Sequence, residues 1–195
     1  MKLVAILIPL PFFHFRLTGT EIFLATPWRV KLPVAMTLAL PMNLLGHSTS
    51  KAYYAEIATI GRKRPAEIRT LTYSVIKRLL LLALAPTLLL LLFGERLFAV
   101  AFGAEWAVAG EMASILAIYL LFQFMHAPAS HLLSVFQGQR LLLMLNVQRA
   151  VLTAACFASG HLLELPITSV VLIYAVTLSA HYLFSLAMTL RVIPR

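Results

Sequence analysis

Residues 75–93 read VIKRLLLLALAPTLLLLLF, and after Arg78 the chain carries no charge until Glu95. A helix needs about 20 predominantly apolar residues to cross roughly 30 Å of hydrocarbon, so this stretch predicts a transmembrane span, bent between its two leucine runs by Pro86. On its C-terminal side, Gly94, Glu95 and Arg96 open a segment through Glu111 that holds three of the seven acidic residues; with Trp106 it reads as an interfacial segment on the outer side. Residues 112–136 form a long span containing Pro128, and the tight turn Gln137-Gly138-Gln139-Arg140 returns the chain to the inside. Residues 141–163 make the next span, a short outer loop with Glu164 and Pro166 follows, and residues 169–190 make the last span before Arg191 and Arg195.

On the N-terminal side, residues 47–78 carry Lys51, Arg62, Lys63, Arg64, Arg69, Lys77 and Arg78 against Glu56 and Glu67. This is read as a basic cytoplasmic loop. Within it Tyr53, Tyr54, Ile57 and Ile60 recur at helical spacing until Gly61 and Pro65, which predicts a helix, a basic turn and a second helix at the membrane surface, with Arg62-Lys63-Arg64 near anionic lipid head groups. Residues 23–45 form a further span, interrupted by Arg29, Lys31, Pro33 and Pro41. Residues 3–15, with Pro9 and Pro11, are either a short span or a signal-like segment lacking a following A-x-A site. The expectation is an all-α polytopic bundle of five to six spans. Basic residues gather on the cytoplasmic side, and the outer loops after the third and fifth spans hold a single base, Arg96.

Composition agrees with this reading. Of 195 residues 61% are hydrophobic and 12% charged, with a mean hydropathy of +0.91, which leaves too little charge to cover a soluble domain. The formal charge of +9 is the positive-inside excess of a membrane protein and implies no nucleic-acid partner. Cys156 is the lone cysteine, so neither an internal disulfide nor a zinc-type Cys/His spacing is present. There is no aspartate and no phosphate-binding Gly-rich loop, which removes aspartate dyads, Ser-His-Asp triads and P-loop chemistry; no enzyme and no cofactor is expected. His126 and His131 are five apart, about 140° around a helix, so no metal site is expected and His126, His131 and His181 are read as polar contacts between helices.

Polar groups inside the spans are the better guide to function. Arg149, with Asn146 and Gln148 on the same span, lies nine residues beyond Arg140, about 13 Å at helical rise and near the bilayer midplane. It lines a cavity, or it snorkels or pairs helices. Arg29 and Lys31, beside Trp28, serve as interfacial anchors or as ligand contacts.

From about residue 33 to 195 the chain resembles the C-terminal half of bacterial polysaccharide-biosynthesis membrane proteins of the O-antigen and oligosaccharide flippase family. The resemblance rests on LALPMNLLG at 38–46, AFGAEWAVAG at 101–110, APAS at 127–130 and QGQR at 137–140, in that order and spacing. Residues 1–32 match poorly. The resemblance implies one bundle of a two-bundle exporter of the multidrug and oligosaccharidyl-lipid superfamily in a bacterial inner membrane. It implies as cargo an isoprenoid-pyrophosphate-linked oligosaccharide for lipopolysaccharide O-antigen or exopolysaccharide. Arg149 would then contact the pyrophosphate, with Arg29, Lys31, Gln148 and Asn146 as further substrate contacts. A position before the L-x-L-P step that is usually cationic is occupied here by Ala35, Met36 and Thr37. As half a transporter, or a truncated or frame-disrupted product, the chain is expected to need a second half-transporter chain or a second copy of itself. A multidrug exporter of the same superfamily, or a non-transporting membrane fragment or subunit, is the alternative.

Overall fold

The computed structural model describes residues 40–194. The expected span at 3–15, most of the one at 23–45, and Arg29, Lys31, Ala35, Met36 and Thr37 lie outside the described residues. The described chain is helical throughout: α1 (Leu40–Ile60), α2 (Pro65–Phe102), a 3₁₀ turn (Ala104–Trp106), α3 (Ala107–Val135), α4 (Gln139–Leu162) and α5 (Ile167–Arg191). α2, α4, α5 and the stretch Ala104–Val135 that contains α3 are long and apolar enough to cross a membrane, which marks the chain as a membrane protein; α1 does not qualify. Four helical stretches among the described residues are thus long and apolar enough to be spans.

The turns follow from local chemistry. Gly61, at φ +69°, takes the left-handed conformation that ends α1, and Pro65 starts α2, where its missing N–H costs nothing. Two other turns use the same device without glycine. Gln137 (φ 58°) and Glu164 (φ 51°) are left-handed, and the next residue's N–H closes back onto the helix: Gly138 to the Leu133 carbonyl at 2.7 Å, Leu165 to the Gly160 carbonyl at 3.0 Å.

Contacts along the helices define their register. α1 and α2 run antiparallel, the Tyr53 hydroxyl meeting Thr72 Oγ1 at 2.6 Å. α2 runs antiparallel to α3, since Ile76 and Leu79 pack with Leu121, Phe124 and Met125 while Phe98 packs with Ala109, Met112 and Ala113. α3 and α5 lie parallel and in contact, Tyr119 against Tyr174 and His126 against Tyr182. α4 covers α5 in the opposite sense, from Arg149 beside Tyr182 to Gly160 beside Val170. α3 and α5 bury about half of their apolar stretch and form the core, whereas α2 and α4 remain mostly exposed.

The segment at 47–78 is more tightly joined to the bundle than a separate surface hairpin would be. Its helix, basic turn and second helix are all present, but the second helix continues without a break into the span as α2, about 57 Å long at helical rise. α1 is bound into the bundle, Tyr53, Ile57 and Ile68 being buried with Ala129, Leu132 and Ile193. The apolar faces of both helices find partners on α3 and at the end of α5. Arg62 Nε donates to the Val135 carbonyl and Arg69 to the carbonyls of Ile193 and Pro194, tying the α1–α2 turn to the ends of α3 and α5.

That end of the bundle gathers Arg62, Lys63, Arg64, Arg69, Arg140 and Arg191, while the opposite end holds Arg96 with Glu95, Glu105, Glu111 and Glu164. With Cys156 replaced by serine, cysteines introduced at Gln139 and at Glu164, both exposed, should react with a membrane-impermeant maleimide from opposite sides of the membrane. Labelling of both from one side would dismiss this register.

Tyr53 titrates outside the spans. Burial raises its hydroxyl from 10.0 to about 12, against a smaller lowering by the Thr72 hydrogen bond. Between those two values the folded state holds a proton that the unfolded state has lost, so stability should fall as pH rises from about 10 to 12. The Tyr53→Phe variant should show a shallower fall of thermal midpoint over that window; an identical slope would refute the assignment.

Candidate functional site

Ten residues into α4, about 15 Å from its start at helical rise, Arg149 donates from one terminal nitrogen to the Tyr182 hydroxyl at 3.1 Å. Tyr182 is the hub of a buried cluster. Its ring centroid lies 5.9 Å from Tyr119, 5.5 Å from His126 and 5.5 Å from His181. Tyr119 and Tyr174 meet edge to face at 5.4 Å with their hydroxyls 3.5 Å apart, and Ser185 Oγ lies 3.3 Å from His181 Nε2. Tyr174, His181, Tyr182 and Ser185 project from one face of α5, being spaced by 7, 8 and 11 residues. α3 supplies Tyr119 and His126 from the parallel neighbour.

The polar satisfaction of this cluster is incomplete. His126 Nε2, His181 Nδ1 and Gln123 Oε1 are buried without a hydrogen-bond partner among the described residues. Arg149 is exposed on the flank of α4 and forms no ion pair with a carboxylate of the described residues, where Arg64 and Glu67 make a pair at 3.0 Å in the first turn of α2. A guanidinium has five N–H donors in a planar fork, and the bond to Tyr182 uses one. The far face of the same helix, with Leu143, Met144, Val147 and Val151, is exposed and apolar.

Height along the bundle sharpens the position of Arg149. Through Tyr182 and His126 it stands level with Met125, which packs near Ile76 and Leu79, so Arg149 and the Lys77–Arg78 pair share one level on opposite flanks. On α2 the apolar layer ends there; on α4 it continues through Leu143 and Met144 toward the basic end. Arg149 is therefore inside the apolar layer of its own flank and at its edge on the other.

Gln148, beside Arg149, lines a groove of ≈ 490 Å³ between α4 and α5 together with Leu152, Val176, Thr177, Ala180, His181 and Phe184. Asn146, by contrast, turns its amide back to the Leu142 carbonyl of its own helix at 3.0 Å. The structure thus places Gln148 on the groove and Arg149 on Tyr182, and leaves Asn146 as a helix-satisfied neighbour; Arg29 and Lys31 lie outside the described residues. The tyrosines were not among the expected site residues, and the α5 face that Tyr174 and Tyr182 share was the available signal. His126 and His131 do bridge helices, His126 to Tyr182 and His131 to Tyr54 at 5.1 Å. Among the described residues no three His, Cys or Glu side chains gather to hold a metal ion. The chemistry the arrangement offers is anion binding: an oriented cation with free donors, backed by tyrosine hydroxyls.

The described residues thus form an all-helical membrane protein in which Arg149 and Tyr182 join α4 to α5. Compared with protein-family models, with curated proteins and with solved structures, the chain matches none.

Proposed function

We propose that this chain is one bundle of a transporter for an anionic, isoprenoid-pyrophosphate-linked oligosaccharide in a bacterial inner membrane, with the basic end in the cytoplasm. The observation that carries the reading is Arg149: a guanidinium among apolar residues of its own helix, oriented by Tyr182, with spare donors and no ion pair to a carboxylate of the described residues. A cation at such depth is costly unless it faces water or an anion, and a phosphate group answers the geometry of the fork. The ordered motifs at 38–46, 101–110, 127–130 and 137–140 support the same family of cargo, and the positive-inside rule supports the orientation. A second bundle completes the cavity in this reading. The exposed residues Asn146, Ala150, Ala154 and Ala158 recur at every fourth position of α4 and offer a surface of small side chains on which another helix could close.

The test is direct binding. The purified full chain in phosphatidylcholine nanodiscs, titrated with a fluorescent polyprenyl pyrophosphate, should bind it saturably and release it to excess unlabelled lipid. Absence of saturable binding, with the chain folded by circular dichroism, would refute the proposal.

A further inference from the structure

We infer that this chain thins the membrane beside α2: Lys77 and Arg78 draw phospholipid phosphates of the leaflet at the basic end inward, while the layer beside α4 keeps its ordinary depth. The inference stands apart from the transport reading. It comes from the unequal apolar lengths of two helices on opposite flanks of one bundle.

On α2 the chain is free of charge from Leu79 to Gly94, about 24 Å at helical rise. On α4 the apolar stretch runs from Leu141 to Leu163, about 34 Å, interrupted by Arg149, which turns to Tyr182. A hydrocarbon layer of about 30 Å is covered by the second and exceeds the first by about 6 Å.

The two stretches end together on the acidic side. Gly160 of α4 lies beside Val170 of α5. By the Tyr119–Tyr174 contact, Val170 stands near Ile115 of α3, and the adjoining Ser114 reaches the Leu90 carbonyl of α2. Glu95 of α2 and Glu164 after α4 are therefore about level, and the difference in length falls at the basic end.

There the pair Lys77–Arg78 is level with Arg149. Beyond that height, toward the basic end, α1 and α2 expose Lys51, Glu67 and Tyr73, whereas α4 and α5 expose Leu143, Met144 and Phe184 before Arg140 and Arg191 are reached. One flank is built for water and the other for hydrocarbon at the same height. A flat boundary satisfies only one of them.

Lys77 and Arg78 are exposed, form no ion pair among the described residues, and are followed one turn later by Leu81 and Leu82, 61% and 55% exposed. The anion present at every membrane boundary is lipid phosphate, which both side chains bind. A helix too short for the layer is accommodated by local thinning or by side chains that snorkel to a boundary left in place. Tyr73 and Lys51 favour thinning, since they continue the wet surface past the reach of the two cations. A head group crossing beside α2 then meets about 24 Å of hydrocarbon in place of about 30 Å.

The experiment measures depth. In the full chain with Cys156 replaced by serine, single cysteines at Tyr73, Leu81, Glu95, Met144 or Glu164 carry a nitroxide, and the protein sits in phosphatidylcholine nanodiscs. Collision with oxygen and with a water-soluble nickel chelate reports the distance of each label from the head groups. Tyr73 and Met144 lie at about one height on opposite flanks, 55% and 68% exposed, so neither label disturbs the core.

The label at Tyr73 should be in water, that at Met144 in hydrocarbon, and that at Leu81 only about 5 Å below the head groups. Lys77→Leu with Arg78→Leu lengthens the apolar stretch of α2 to about 30 Å, so the Leu81 label should sink by about 6 Å while the Met144 label stays in place. Equal depths at Tyr73 and Met144 would establish a flat boundary and overturn the inference. A Leu81 label already about 10 Å deep in the unaltered chain, or unmoved in the double variant, would show snorkelling and overturn it too. A label at Glu95 about 10 Å farther into water than one at Glu164 would mean a tilted bundle in an unthinned bilayer. Shielding of the Leu81 label from both reagents would show that protein, not lipid, covers this face, which also ends the inference.

Discussion

Gly110→Val should lower the thermal midpoint of the detergent-solubilised chain by roughly 6–12 °C, corresponding to about 3 kcal/mol in a protein of this size. Gly110 and Gly94 are both buried where α3 crosses α2. A Cβ on Gly110 would fall on the Gly94 carbonyl and the Glu95 Cα, which are backbone atoms that cannot rotate away. A Cβ on Gly94 would collide with Ser114 Oγ, whose single hydroxyl hydrogen lies between the Leu90 carbonyl at 2.6 Å and the Gly110 carbonyl at 2.9 Å. Close backbone approach through small residues is how membrane helices gain packing when lipid and partner are equally apolar, so separating the helices forfeits the contact along with the hydrogen bond. Gly61→Ala is the informative contrast. Nothing lies within 4 Å of a Cβ there, and the cost is the strain of φ +69°, about 1 kcal/mol. Equal midpoints for wild type and Gly110→Val would refute the close crossing.

Arg149→Ala should weaken polyprenyl pyrophosphate binding by roughly 10- to 100-fold, the range expected for losing hydrogen bonds to a charged group worth about 1.5–3 kcal/mol. Its stability should change little, because the side chain is exposed and its hydrogen bond within the protein goes to Tyr182. Arg149→Lys should retain part of the affinity: a point charge remains while the planar fork is lost. Tyr182→Phe keeps the charge and removes the hydroxyl that orients it, so a smaller loss is expected. A collapse in protein yield with Arg149→Ala would reassign the residue to helix pairing, and unchanged binding would remove it from the site.

The spans after residue 65, the turns at Gly61 and Gln137, and the segregation of basic from acidic ends were legible in the sequence. Each depends on local quantities: a helical rise against a hydrocarbon thickness, a residue able to adopt positive φ, a proline that can only begin a helix. Arg149 could likewise be singled out, since a cation within an apolar run is conspicuous without any knowledge of its neighbours. The continuity of α2 from Pro65 to Phe102 was hidden by Lys77 and Arg78, which look like the edge of a loop but stand exposed on an unbroken helix.

Tertiary structure alone decided which faces meet. In a soluble helix the apolar stripe names the buried side; in these spans nearly every position is apolar, so periodicity does not distinguish a lipid-facing residue from a packed one. That Tyr119 meets Tyr174 across 55 residues, that Arg149 reaches Tyr182 across 33, and that a groove opens between α4 and α5 all follow from α3 and α5 lying parallel with α4 laid back over α5. Hydrocarbon depth determines where a chain can cross, and it is indifferent to the rotation of each helix about its own axis. That rotation is set by shape: by Gly94 on Gly110, Gly160 on Val170, and the tyrosine rings packed between α3 and α5.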